Sequence, residues 1–120
     1  MSTEPGASTI PAVMQKSASV AAAYSTLLAI IRELSDVQVQ EKKTSIHLVA
    51  GRAAFLGIHP RSTGIRINIV LARPLPGERV VKSEQVSKSR WHNEVELPAG
   101  SPIDMELEGW IHEAYELQKS

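Results

Sequence analysis

Cysteine is absent from the chain, which removes disulfides, thiol nucleophiles and thiolate metal sites and agrees with a reducing compartment. Aromatic residues are scarce, with two Trp, two Tyr and one Phe, so a core has to be built from Ile, Leu, Val and Ala. Long apolar runs are lacking too. The stretch from Ala18 to Ile31 is broken by Ser19, Tyr24, Ser25 and Thr26 and falls short of the ~20 residues that a membrane span needs. Only Lys16 precedes it, within a polar lead that makes a poor signal peptide. A soluble, cytoplasmic protein with no membrane partner is the expectation. There is no Gly-rich phosphate loop, dinucleotide fingerprint, nucleophile elbow or HExxH pair. No cofactor, no metal site and no catalytic residue are therefore assigned.

What is present fits one domain: 120 residues, 42% of them hydrophobic, enough for a single core. The formal net charge of zero conceals an uneven distribution. Residues 42–90 hold ten basic side chains against two acidic ones, +8, whereas residues 91–120 carry −6. A basic middle and an acidic end invite either an anionic partner or an internal pairing of the two.

Residues 1–18 are rich in Ser, Thr, Pro, Gly and Ala without periodicity and read as a flexible arm. Residues 19–120 read as one α+β domain. Val20, Tyr24, Leu27, Leu28, Ile31 and Leu34 recur at helical spacing, with Ser17 or Ser19 as the N-cap. The centre then switches to period two. Ile46, Leu48 and Ala50 oppose Ser45, His47 and Val49; Ala54, Leu56 and Ile58 oppose Phe55, Gly57 and His59. Ile65, Ile67, Ile69 and Leu71 oppose Arg66, Asn68 and Val70; Val95 and Leu97 oppose His92, Glu94 and Glu96. Pro74 and Pro76 make "RPLPGER" a loop. Residues 79–90 read as a short strand and polar turn of unfixed register. A last helix is capped by Ser101, with Pro102 at its first position and Asp104 completing the cap. Its stripe is Ile103, Leu107, Trp110, Ile111, Ala114 and Leu117, and Tyr115 keeps its hydroxyl in water. The expected fold is a two-layer sandwich, an antiparallel sheet of about four strands with both helices on one face.

The other face has nothing to cover it. Alternation gathers His47, Phe55, His59, Arg66, Asn68 and His92 there, with Ser45 and Glu94 beside them. These six are the candidate binding residues, with Arg66 and Asn68 central. A wet antiparallel face shows polar residues in any case, and one residue of register decides the set. The reading favours a binding module on a basic, His-containing face, for an unknown protein partner, a second copy of the chain or an anionic ligand. Nucleic acid is less favoured, because stacking surfaces use two or three aromatics and this chain has one Phe. The alternative is a metal-assisted or His-based enzyme built on His47, His59 and His92.

The segments "KKTSIHL", "RAAFLGIHP", "IRINIVLARPL", "RVVKSEQVSKSRWHNEVEL" and "IDMELEGWIHEAYEL" together resemble the bacterial domain-of-unknown-function 5655 family. The resemblance runs from about Val20 to Leu117 and rests on the order and spacing of these pieces. It transfers no catalytic or binding residue, and implies an accessory module standing alone or appended to a larger protein.

Overall fold

A computed structural model describes residues 11–119. Residues 1–10 of the expected flexible arm lie outside them. The chain enters at Pro11, and a 3-10 turn at Ala12–Gln15 places Met14 fully inside the core. Helix α1, Ala18–Ile31, begins where the Ser17 hydroxyl accepts the Val20 N–H at 3.1 Å, so Ser17 rather than Ser19 is the cap. That bond satisfies one of the amides a helix start leaves without a partner.

Six strands follow: β1 Gln38–Glu41, β2 Ile46–Ala50, β3 Ala53–Pro60, β4 Gly64–Leu71, β5 Val80–Ser87 and β6 Arg90–Pro98. They form one antiparallel sheet in the order β1-β2-β3-β4-β6-β5. Six strands replace the expected four or so. The additions are β1, whose four residues are all exposed and so lack apolar alternation, and the full length of β5. β5 is exposed along nearly all its length, because it is an edge strand interrupted by two irregularities in register. Its pairing with β6 sets Lys82 opposite Glu94 and Glu84 opposite His92.

Helix α2, Met105–Lys119, starts three residues later than the Ser101 cap implies. Asp104 caps it: its carboxylate accepts the Leu107 N–H at 2.9 Å and its carbonyl accepts the Glu108 N–H. Asp is as good an N-cap as Ser, and Arg79 holds this one in place from the side at 2.8 Å. Residues 98–101 are instead spent on a turn in which the Ser101 N–H reaches the Pro98 carbonyl.

Both helices cover the face built from Ile46, Leu48, Leu56, Ile58, Ile65, Ile67, Ile69, Val95 and Leu97, all at most 1% exposed. Leu107, Ile111 and Ala114 of α2 and Val20, Tyr24 and Leu27 of α1 close the layer. Tyr115 is buried, not wet: its hydroxyl donates to the Ser35 carbonyl at 2.6 Å and ties the end of α1 to α2. The β2–β3 turn approaches the end of α2 so closely that a Cβ on Gly51 would lie 2.6 Å from the Gln118 carbonyl oxygen. Gly51 also has φ +68°, so only glycine meets both demands without strain.

One buried polar group organises the core layer. Asn93, on β6 and fully buried, accepts the Leu75 N–H at 2.9 Å and the Ser83 hydroxyl, and donates to the carbonyls of Ile69 and Arg73. It joins β4, β5 and the crossing loop at one point, with each end of its amide used.

Candidate functional site

The two faces are separated by register. On the open face His47 pairs with Gly57, Gly57 with Asn68, and Asn68 with Glu94. One step along, His59 pairs with Arg66 and Arg66 with Glu96; one step the other way, Val70 pairs with His92. Five of the six candidates, His47, His59, Arg66, Asn68 and His92, thus share this face.

Phe55 does not. The register slips between Leu48 and Val49, so that Leu48 faces Leu56 while Val49 faces Ala54. Phe55 is the extra residue of that bulge. Strict alternation would expose it; the bulge lets Phe55 and Leu56 both be buried completely. Its ring meets Tyr115 edge-on, centroids 5.6 Å apart at 75°, a favoured aromatic geometry. Ser45 is likewise buried and stands before β2. Trp91, by its register with Leu71, belongs to the helix-covered side. The open face therefore carries no Phe, Tyr or Trp among the described residues; the rings it presents are the imidazoles of His47, His59 and His92.

Part of the charge of the basic middle is paired off within the fold. The Arg66 guanidinium bonds Glu96 at 2.7 Å and Glu94 at 3.3 Å. Arg73 forms a two-bond pair with Glu113 at 2.8 and 3.0 Å. Arg79 reaches Asp104 and Glu106 and lies 5.8 Å over the Trp110 ring. Three cations of the positive middle thus pair with five carboxylates of the negative end within one domain. The paired carboxylates respond as electrostatics requires. The Leu107 N–H, then Arg79, hold the Asp104 carboxyl below its ordinary value, and Arg73 does the same for Glu113.

A concavity of about 270 Å³ remains near the middle of the open face. Ala54, Gly57 and Val70 contribute apolar floor; His47, Asn68 and His92 contribute polar groups. His59 and Arg66 lie outside it. Arg90, Val86 and Gln118 also line it and were missed by the sequence reading. Arg90 shares the parity of His92 and Glu94 and was legible in principle. Gln118 comes from α2, and no strand pattern could place it. Gly57 leaves the floor of the concavity bare of a side chain. A Cβ there would sit 3.5 Å from Asn68 Cβ, 3.7 Å from His59 Nε2 and 3.9 Å from His47 Cδ2. The glycine thus lies between two imidazoles and an amide. Burial, with Lys42 and His59 nearby, pushes the His47 imidazole below its ordinary pKa, so at neutral pH it is an uncharged donor and acceptor.

Asn68 Oδ1 is buried and has no hydrogen-bond partner among the described residues. Among the described residues no group of three or more His, Cys, Asp or Glu is arranged to hold a metal ion. The metal-assisted alternative on His47, His59 and His92 therefore lacks its ligand set there. No helix among the described residues is long and apolar enough to cross a membrane.

No curated protein and no solved structure gave a match to the chain. A family model does match, over residues 12–118, which takes in both helices and the whole sheet. The chain therefore belongs to the family described as domain of unknown function DUF5655.

Proposed function

We propose that this domain is a binding module that takes a small ligand onto the open face of its sheet. The observation that carries the reading is the concavity around Gly57, where an apolar floor meets the converging side chains of His47, Asn68 and His92. Mostly apolar lining with a few placed polar groups is the usual composition of a small-molecule site. At about 270 Å³ it lies just under the ~300–1,000 Å³ of pockets for drug-sized ligands, which favours a small occupant. Arg66, the arginine central to the open face, is already engaged by Glu94 and Glu96, which leaves it less available to a polyanion.

Native mass spectrometry of the untagged protein, taken gently from cells, tests the reading. A mass above the 13.1 kDa chain is expected, and Gly57→Val, which fills the floor, should return the bare mass while the protein stays folded by circular dichroism. Bare mass in both proteins overturns the reading. A doubled mass unaffected by Gly57→Val overturns it in favour of self-association.

A further inference from the structure

The lining of the concavity also specifies a class of ligand, an inference that rests on the binding reading above. Asn68 Oδ1 is buried and lies out of a ligand's reach, so recognition has to come from the rest of the lining. Part of that lining is aliphatic. Ala54, Val70 and Val86 present methyl groups around the bare backbone of Gly57. Val86 is 47% exposed, so this wall keeps apolar area in water that an occupant would remove.

Another part is charged. Among the described residues that line the concavity, Arg90 is the one permanent cation. Unlike Arg66, Arg73 and Arg79, it bonds no carboxylate among the described residues and donates only to Ser89, its chain neighbour. No Asp or Glu is among the lining residues. The two carboxylates in register with the lining, Glu84 opposite His92 and Glu94 opposite Asn68, already face Lys82 and Arg66. His47 and His92 add imidazoles but no permanent charge. One guanidinium balances one negative charge, and its paired N–H groups match the two oxygens of a carboxylate. A bare anion would leave the aliphatic wall in water, and a neutral apolar molecule would leave Arg90 without a partner.

We infer that the site takes a small monocarboxylate with an apolar body, its carboxylate on Arg90 and its body against Ala54, Val70 and Val86. Four probes separate the parts. Benzoate has both, benzamide has the same body without the charge, acetate has the carboxylate without the body, and phenyl phosphate has the body with a more highly charged head. Each is titrated into the full-length ¹⁵N-labelled protein while backbone amides are followed. Benzoate should shift the amides of Gly57, Val70, Arg90 and His92 and bind at least ~10-fold more tightly than benzamide or acetate. Arg90→Gln should reduce benzoate to the affinity of benzamide. Arg90 bonds only its chain neighbour, so an unchanged spectrum elsewhere shows that the variant folds, and the comparison of benzoate with benzamide needs no variant.

Equal affinity for benzoate and benzamide, indifferent to Arg90→Gln, overturns the anion. Equal affinity for benzoate and acetate overturns the apolar body. Phenyl phosphate binding more tightly than benzoate overturns the carboxylate in favour of a phosphorylated ligand. If none of the four moves these amides, the class is wrong. The mass retained from cells then tells whether binding at the face is wrong with it: a retained molecule lost in Gly57→Val keeps that reading without this class.

Discussion

Asn68 on β4 and Asn93 on β6 are the same side chain one strand apart, on opposite faces of one sheet. Asn93, under the helices, spends both ends of its amide on Leu75, Ser83, Ile69 and Arg73. Asn68, on the uncovered face, has its carbonyl oxygen buried without a donor. The difference separates an amide that the fold satisfies from one whose carbonyl oxygen the described residues leave without a donor. A satisfied buried amide fixes structure. An unsatisfied one weakens it and needs a different reason.

The sharpest way to break the comparison is to shorten each asparagine. Asn93→Ala strands the buried Leu75 N–H and Ile69 carbonyl and the part-buried Arg73 carbonyl, and leaves a void where β4, β5 and the loop meet. Each buried group that loses its partner costs about 1–3 kcal/mol, so chemical denaturation should show a loss of about 2–6 kcal/mol. An unchanged midpoint would mean that the network contributes no stability. Asn68→Leu should behave the opposite way, leaving stability unchanged or raising it by up to about 1–3 kcal/mol, since it removes a buried acceptor that bonds nothing. A loss as large as that of Asn93→Ala would show that Asn68 is structural and would erase the contrast.

Between these lies the acid response of the helix-covered side. Asp104 and Glu113 have folded pKa values below their ordinary ones, through the Leu107 N–H with Arg79 and through Arg73 respectively. Their stabilising contribution is therefore complete above the unfolded carboxylate range of about 4 and is lost as pH falls through the lower folded values. Thermal unfolding followed from about pH 7 to pH 3 should show a falling midpoint at the acid end. In Arg73→Gln with Arg79→Gln that fall should be shallower. Because these groups are largely exposed, solvent screening keeps the effect small. An acid limb of the same depth in the double variant would assign the response to other groups.

Much of the helix-covered face could be read directly. The Ile65, Ile67, Ile69, Leu71 alternation and the Leu107, Trp110, Ile111, Ala114 stripe place those residues wherever the elements dock, because burial of apolar area is what drives docking. The open face was legible only by subtraction. Its membership held at His47, His59, Arg66, Asn68 and His92 and failed at Phe55, where a bulge turned one residue over. Alternation cannot announce a bulge when both neighbours are apolar, as Phe55 and Leu56 are. The last helix shows the same limit. Ser101 and Asp104 both fit the sequence pattern of a cap, and the choice fell to Asp104, which Arg79, a residue 25 positions away, meets at the helix start.

The sequence by itself determined the class of fold, an antiparallel sheet with two helices on one side, because period-two and period-3.6 apolar patterns have few other ways to bury themselves. It also gave the expectation of one sheet face without a helix, and both helices of the described residues do lie on the other face. Tertiary structure alone decided where the charge goes. Arg66, Arg73 and Arg79 lie far along the chain from the carboxylates they meet, and only folding shows that these three cations of the basic middle meet the acidic end. Tertiary structure also decided that Arg90 escapes that pairing and that Asn68 lies opposite a bare glycine. Both follow from strand register and helix placement, which depend on contacts between distant residues and leave no local trace in the sequence.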